Sequence, residues 1–86
     1  MKPFRLLIDY EVLEFLAPLS RKEQLLIHRE ILRVRDFPYN HADYPEKDEF
    51  GRQYQVHIFG KYALKYWIDE SDQHLKIMEI RPSDRG

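Results

Sequence analysis

The sequence has 86 residues, about half of a typical ~150-residue domain, which excludes a multidomain enzyme and leaves room for one domain spanning 1–86. Its 43% hydrophobic and 14% aromatic content excludes a disordered adaptor, and the absence of cysteine excludes disulfides and Cys-ligated zinc. The net charge of −1 excludes a protein whose overall field attracts nucleic acid or anionic membranes, so any nucleic-acid site must be a local patch.

No apolar run approaches the ~20 residues of a membrane-spanning helix, and the first residues lack the apolar core of a signal peptide. We therefore expect a soluble, cytoplasmic protein with no membrane partner. The absence of cysteine fits a reducing compartment. Nothing in the sequence predicts a cofactor.

The first predicted elements are a short strand and a short helix. Residues 3–9 contain the apolar run Phe-Arg-Leu-Leu-Ile, which is typical of a strand buried on most of both faces. From Glu11 to Leu19 the apolar residues lie on one side of a helical wheel, with Asp9 as a candidate N-cap. Pro18 limits the length of this helix.

A longer helix is predicted over 21–36, because Ser20 and Glu23 have the spacing of a capping box. His28 lies within the apolar arc of this helix and is expected to be a core or interface histidine. The predicted core residues are Leu25, Ile27, Ile31, Leu32 and Val34. The opposite side carries a basic stripe that either contacts RNA or an acidic partner, or is simply solvated: Lys22, Arg29 and Arg33.

The polar stretch 39–51 is rich in turn-forming residues and shows neither helical nor strand periodicity, so it is predicted to be a long loop. Long loops in small domains are often functional. The potential ligands in this stretch follow no recognised metal-ligand spacing, so no metal site is predicted: His41, Asp43, Asp48 and Glu49.

Three strands of a meander are predicted over 52–59, 61–68 and 74–80, separated by Gly60 and by a polar turn at 69–73. The order is therefore β-α-α-β-β-β, an α+β arrangement. Strict alternation would place Glu79 with buried residues, so either the last strand bulges near Met78 or the sheet ends there.

Alternation along these strands assigns each side chain to a face. The face expected to meet the helices carries Tyr54, Val56, Ile58, Tyr62, Leu64, Tyr66, Ile68, Leu75 and Ile77. The opposite face is the expected functional surface and carries Gln53, Gln55, His57, Phe59, Lys61, Ala63, Lys65, Trp67, His74 and Lys76.

The element order, the segment Gly60-Lys-Tyr-Ala-Leu-Lys-Tyr-Trp-Ile68 and the segment Ile77-Met-Glu-Ile-Arg81 resemble the RelE/ParE superfamily of bacterial toxins over nearly the whole chain. These are the toxins of type II toxin–antitoxin pairs. The resemblance implies two N-terminal helices packed on one face of a mainly antiparallel sheet, and a cognate antitoxin as partner. An antitoxin segment would then cover the sheet or the helical pair and bury Trp67 and Phe59.

Within this superfamily, RelE-type members are ribosome-dependent mRNA endonucleases, whereas ParE-type members act on DNA gyrase. By this resemblance, the two catalytic lysines of the RelE pattern fall on Gln55 and His57, and its strand arginine falls on Ala63. Its C-terminal arginine and tyrosine meet the segment 81–85, where Arg81 is available and no tyrosine follows.

A catalytic set predicted from these residues has His57 as acid or base, Lys61 and Lys65 as phosphate ligands, and Arg81 as stabiliser of the transition state. The alternatives are a partly exposed strand histidine and solvated sheet lysines. Trp67 would stack on a base, anchor a partner helix or belong to a small second core. The residues predicted to bind RNA or a partner are Gln55, Trp67, Lys76, Arg85, Lys22, Arg29 and Arg33.

Three hypotheses stay open at this point. The first is a toxin that inhibits translation by cleaving mRNA on the ribosome, which the histidine and lysines of the expected face favour slightly. The second is a non-enzymatic toxin that acts on DNA gyrase, which the departures from the RelE pattern favour. The third is a non-toxic binding module on the same fold.

Overall fold

Residues 3–83 are described by a computed structural model as two helices and a five-stranded sheet. The elements are β1 (Arg5–Ile8), α1 (Tyr10–Leu16), α2 (Arg21–Asp36), β2 (Tyr44–Lys47), β3 (Gln53–Phe59), β4 (Tyr62–Asp69) and β5 (His74–Pro82). The spatial order of the strands is β1-β5-β4-β3-β2, with β1 parallel to β5 and every other pair antiparallel. The predicted α+β class and mainly antiparallel sheet are confirmed.

Both helices begin at the predicted caps. The Asp9 carboxylate accepts a hydrogen bond from the backbone N–H of Glu11 (2.9 Å), and the Ser20 hydroxyl accepts one from that of Glu23 (3.2 Å). The first helix ends at Leu16 rather than Leu19, since Pro18 cannot supply the N–H that a further turn requires. Neither helix of the described segment is long and apolar enough to cross a membrane.

The main core lies between the helices and the sheet face that they cover, which we call the helix face. Ile27, Ile31 and Val34 are buried in α2 as predicted. The prediction for Leu25 is wrong, since it is 46% exposed. His28 is also exposed, which leaves only the interface role of its two predicted alternatives, and both residues line a shallow groove beside the end of α1. The sheet presents a single face to α2, so only one narrow stripe of the helix is covered.

The predicted 39–51 loop contains the edge strand β2, which pairs with β3 from Tyr44↔Val56 to Lys47↔Gln53. Alternation over four residues is a weak signal for a strand, and a proline within it weakens the signal further. Pro45 is nevertheless compatible with an edge strand, because proline has no N–H to donate to a neighbouring strand. Asp48 closes the following turn by accepting hydrogen bonds from the N–H groups of Phe50 and Arg52, both at 2.9 Å.

The face assignment predicted for β3 is wrong. Gly60 and Lys61 form a two-residue turn, so Phe59 pairs directly with Tyr62. Directly paired residues share a face. The residues Gln55, His57 and Phe59 therefore lie on the helix face with Tyr66, Leu64 and Tyr62. The opposite, helix-free face carries Tyr54, Val56 and Ile58 from β3.

Of the two alternatives predicted for the last strand, a bulge near Met78 or the end of the sheet, the structure shows the bulge. Lys65 pairs with Glu79 and Tyr66 with Ile77, so Met78 has no partner in the ladder. The extra residue places Glu79 on the helix-free face beside Lys65 while Ile80 stays in the main core. Arg81 pairs with Ala63 and follows Glu79 onto the helix-free face.

Candidate functional site

Charged side chains from three strands meet on the helix-free face. The Glu46 carboxylate of β2 accepts a hydrogen bond from Arg81 Nη2 of β5 (2.8 Å), and its other oxygen lies 3.4 Å from Lys65 Nζ of β4. Arg81 Nη1 donates to Glu79 Oε1 at 2.7 Å. We call these four residues the Lys65–Arg81 cluster. They join the edge strand β2 to the interior strand β5.

The contact between Glu46 and Arg81 passes over two strands, β3 and β4, which separate β2 from β5 by about 14 Å in a flat sheet. The side chains of the cluster therefore extend over the middle of the helix-free face. Beneath them, Val56 is 0% and Ala63 2% exposed, although within residues 3–83 neither helix covers this face. With Tyr54, whose ring lies 4.6 Å from Lys65 Nζ, they form a second small core.

The hydrogen bond between Arg81 and Glu46 stabilises the charged forms of these two residues. The hydrogen bond from Arg81 lowers the pKa of Glu46; burial opposes this effect and Lys65 adds to it. The same hydrogen bond raises the pKa of Arg81. Two cations thus face two carboxylates, so the cluster carries no formal excess of positive charge.

Trp67 lies on the same face and contacts two further cations. Arg52 Cζ is 4.2 Å and Lys76 Nζ 4.3 Å from the indole centroid, and Lys76 also lies 3.5 Å from Asp69. These are cation–π distances. The indole is half-buried, so a base that stacked on it would have to displace one of these cations.

His57 lies on the helix face, away from Lys65 and Arg81. Its Nδ1 is hydrogen-bonded to the backbone carbonyl of His41 (2.8 Å), and its Nε2 to the Glu30 carboxylate (3.0 Å). The ring also stacks on Phe59 at 5.6 Å, and its side chain is 11% exposed. This arrangement ties β3 to α2 and to the segment before β2.

The other predicted site residues are dispersed. Lys61 lies in the β3–β4 turn, 66% exposed, with Nζ 3.2 Å from Glu23 of α2. Gln55 is half-buried on the helix face. The basic stripe of α2 is exposed, with Arg33 paired to Glu30 at 2.8 Å: Lys22, Arg29 and Arg33. Arg85 lies outside the described residues.

Of the predicted catalytic set, the structure thus brings together only Lys65 and Arg81. Sequence reasoning missed both carboxylates and the guanidinium beside Trp67: Glu46, Glu79 and Arg52. The alternation of Tyr44 and Glu46 around Pro45 was the available signal for an edge strand. A bulge near Met78, one of the two alternatives left open for the last strand, was the signal that could have placed Glu79 off the core face.

One group of potential metal ligands lies in the described residues, at the turn between β4 and β5. The ligand atoms of Asp69, Asp72 and His74 lie within 4.8 Å of one another. Lys76 shares Asp69 and already supplies a positive charge there. This group is separate from the 41–49 residues that the sequence analysis considered.

No protein-family model matches this sequence, and no curated protein matches it either. Solved structures do match. A chain of the Mycobacterium tuberculosis toxin–antitoxin complex RelBE2 is 16% identical, with a TM-score of 0.81 over 95% of this chain and 100% of its own. The Pyrococcus horikoshii RelE–RelB complex contains a match at 22% identity and TM-score 0.70, covering 99% of this chain and 100% of that one.

A chain of the intact E. coli RelBE toxin–antitoxin complex also matches, at 13% identity and TM-score 0.71, over 95% of this chain and 99% of that chain. All three similarities extend over nearly the full length of both chains. They confirm that this protein has the fold found in RelBE complexes, as the sequence resemblance predicts.

Proposed function

We propose that this protein is the toxin of a type II toxin–antitoxin module and that it inhibits translation by binding and cleaving mRNA on the ribosome. The observation that carries the proposal is the placement of Lys65 and Arg81, from neighbouring strands, side by side on the helix-free face. The fold is shared with chains of RelBE toxin–antitoxin complexes, which supports the same assignment.

The chemistry of the two cations suits a phosphodiester. The guanidinium of Arg81 offers parallel N–H donors to phosphate oxygens, and the ammonium of Lys65 adds a point charge from the next strand. When a ribose 2′-hydroxyl attacks the adjacent phosphorus, the P–O2′ bond forms as the P–O5′ bond breaks, the 2′-oxygen loses its proton and the departing 5′-oxygen gains one. In the transition state, negative charge accumulates on the non-bridging oxygens. Fixed cations at that position stabilise the transition state more than the ground state.

The Lys65–Arg81 cluster contains no histidine that could transfer a proton. His57 lies on the other face with both ring nitrogens engaged, so we assign it a positioning role in the fold. The carboxylates of Glu46 and Glu79 lie beside the cations and are the nearest proton acceptors of the cluster. We therefore place phosphate binding and charge stabilisation at Lys65 and Arg81, and the proton acceptor of this cluster at Glu79, which is hydrogen-bonded to Arg81 Nη1.

We also propose a cognate antitoxin as partner. The two helices expose large apolar side chains, which is typical of a surface that binds a partner: Tyr10, Leu13, Leu25 and Leu26. Of the two residues expected to be covered, Phe59 already packs against the main core, whereas Trp67 remains accessible on the helix-free face. An amphipathic antitoxin segment would bury the helical residues.

Induced expression in a bacterial host, with pulse labelling of protein and DNA synthesis, tests this proposal. Wild type is compared with Lys65→Met and Arg81→Met, which keep the aliphatic stems over the second core. Lys47→Met is the control, since Lys47 is exposed at the end of β2 and loses the same charge. We expect protein synthesis to fall for wild type and Lys47→Met, and to recover in both cluster variants.

Two results would contradict the proposal. A fall in DNA synthesis that is indifferent to Lys65 and Arg81 would identify a gyrase-directed toxin. No effect on either synthesis would identify a binding module. Co-expression of a cognate antitoxin should restore growth in the wild-type strain.

A further inference from the structure

The Glu46 carboxylate is held where a phosphate would bind. One oxygen accepts from Arg81 Nη2 at 2.8 Å, and the other lies 3.4 Å from Lys65 Nζ. A phosphodiester offers the same features, two non-bridging oxygens sharing one negative charge. The position between the two cations is therefore already occupied by an anion belonging to the protein itself.

We propose that Glu46 is an internal competitor, which an RNA phosphate must displace before it contacts Lys65 and Arg81. This inference rests on the proposed function, because it concerns regulation of the same site. In the free protein, Glu46 would keep the affinity for RNA phosphates low. Firm binding would require further contacts elsewhere on the RNA, the protein or the ribosome.

The position of Glu46 in the fold allows its carboxylate to move away from Lys65 and Arg81 without disturbing the sheet. It lies on a four-residue edge strand, and its side chain is 33% exposed, so the carboxylate can rotate into solvent without breaking the β2–β3 ladder. Arg81 would keep its bond to Glu79 through Nη1, which leaves Nη2 and Lys65 Nζ for the phosphate.

Charge favours the same interpretation. Lys65 and Arg81 are balanced by Glu46 and Glu79, so the occupied cluster exerts little attraction on an approaching polyanion. Once Glu46 leaves, the two cations exceed the one remaining carboxylate by one charge. Affinity for RNA depends strongly on such uncompensated cations. Neutralising Glu46 should therefore strengthen RNA binding, whereas neutralising a carboxylate outside the cluster should not.

The test is a fluorescence-anisotropy titration of a short, labelled single-stranded RNA with the full chain and its variants at fixed salt. Glu46→Gln removes the charge but keeps an oxygen that accepts from Arg81. Glu49→Gln is the matched control, since Glu49 is exposed in the β2–β3 turn next to the same strand. We expect Glu46→Gln to bind about tenfold more tightly than wild type, and Glu49→Gln to change affinity by less than about twofold.

A second variant covers the case in which Glu46→Gln is poorly folded. Glu46→Asp keeps the charge on β2 but shortens its reach, so it should also bind RNA more tightly, by a smaller factor. Adding Arg81→Met to Glu46→Gln should abolish the gain. Equal affinities for Glu46→Gln and Glu49→Gln, or a gain that survives Arg81→Met, would overturn the inference.

These outcomes are distinguishable from failure of the proposed function. If Glu46→Gln binds RNA more tightly while expression of the wild type is harmless, the competitor role stands and the toxin assignment falls. If wild type arrests protein synthesis while Glu46→Gln gains no affinity, the toxin assignment stands and the competitor role falls.

Discussion

The imidazole of His57 and the carboxylate of Glu30 lie 3.0 Å apart, joining the third strand of the sheet to the long helix. The other ring nitrogen donates to the backbone of His41, and the ring stacks on Phe59. His57, which the sequence predicts to be exposed on its strand, thus packs between α2, the sheet and the segment that leads to β2. Its first measurable consequence is for stability.

Replacing His57 by alanine should destabilise the fold by about 1–3 kcal/mol. The substitution removes two hydrogen bonds and a ring contact, and it leaves the half-buried Glu30 carboxylate with one partner fewer. Chemical denaturation monitored through Trp67 fluorescence measures the change. His28→Ala, at an exposed position of the same helix layer, should cost less than about 0.5 kcal/mol. Equal effects for the two variants would contradict the structural role of His57.

Glu30 should make stability fall in acid. Burial tends to raise the pKa of Glu30, but the hydrogen bond from His57 and the charge of Arg33 outweigh it, so the pKa lies below its usual value of 4.5. A depressed carboxyl pKa contributes stability that is present above pH 4.5 and is lost as pH falls through the lower folded-state value.

The free energy of unfolding of Glu30→Gln, measured at pH 7 and again near pH 3, isolates this contribution. Wild type should exceed Glu30→Gln at pH 7, and the difference should shrink at the lower pH. Glu14→Gln, on the exposed side of α1, should show no such convergence. A wild-type advantage that persists unchanged in acid would show that ionisation of Glu30 contributes nothing.

Asp48 should stabilise the pairing of the edge strand β2 with β3. Its carboxylate accepts from two backbone N–H groups of the β2–β3 turn and from the Tyr54 hydroxyl at 3.1 Å. Asp48→Ala should accelerate amide hydrogen exchange in β3 residues paired with β2, while Glu49→Ala, in the same turn, should not. Unchanged exchange in the Asp48 variant would mean that strand pairing alone holds the turn.

The helix starts and the meander were predictable, and the bulge was one of two alternatives offered, because each depends on a local signal. Ser20 and Glu23 define a cap within three residues, and Met78 explains why Glu79 leaves the core face. Alternation assigned the side chains of β3 to the wrong faces of the sheet, because alternation within one strand does not fix its phase relative to the next strand across a turn. A two-residue connection at Gly60 and Lys61 makes Phe59 pair with Tyr62, which reverses the assignment of His57.

The candidate site was predictable only in part, for a similar reason. Lys65 lies on a predicted strand, whereas Arg81 comes directly after the predicted 74–80 strand and belongs to β5 only because that strand extends to Pro82. Glu46 reaches them across two strands from an edge strand that Pro45 obscures. Long-range side-chain contacts of this kind depend on the spatial order of the strands, which a local pattern does not contain.

The most direct test of the account is to add the purified chain to a cell-free bacterial translation reaction and map the 5′ ends of the mRNA by primer extension. We expect new, discrete ends that depend on active translation. Arg81→Met should produce them about tenfold more slowly, and Lys47→Met at the wild-type rate. Intact mRNA with undiminished protein synthesis, or cleavage indifferent to Arg81, would contradict it.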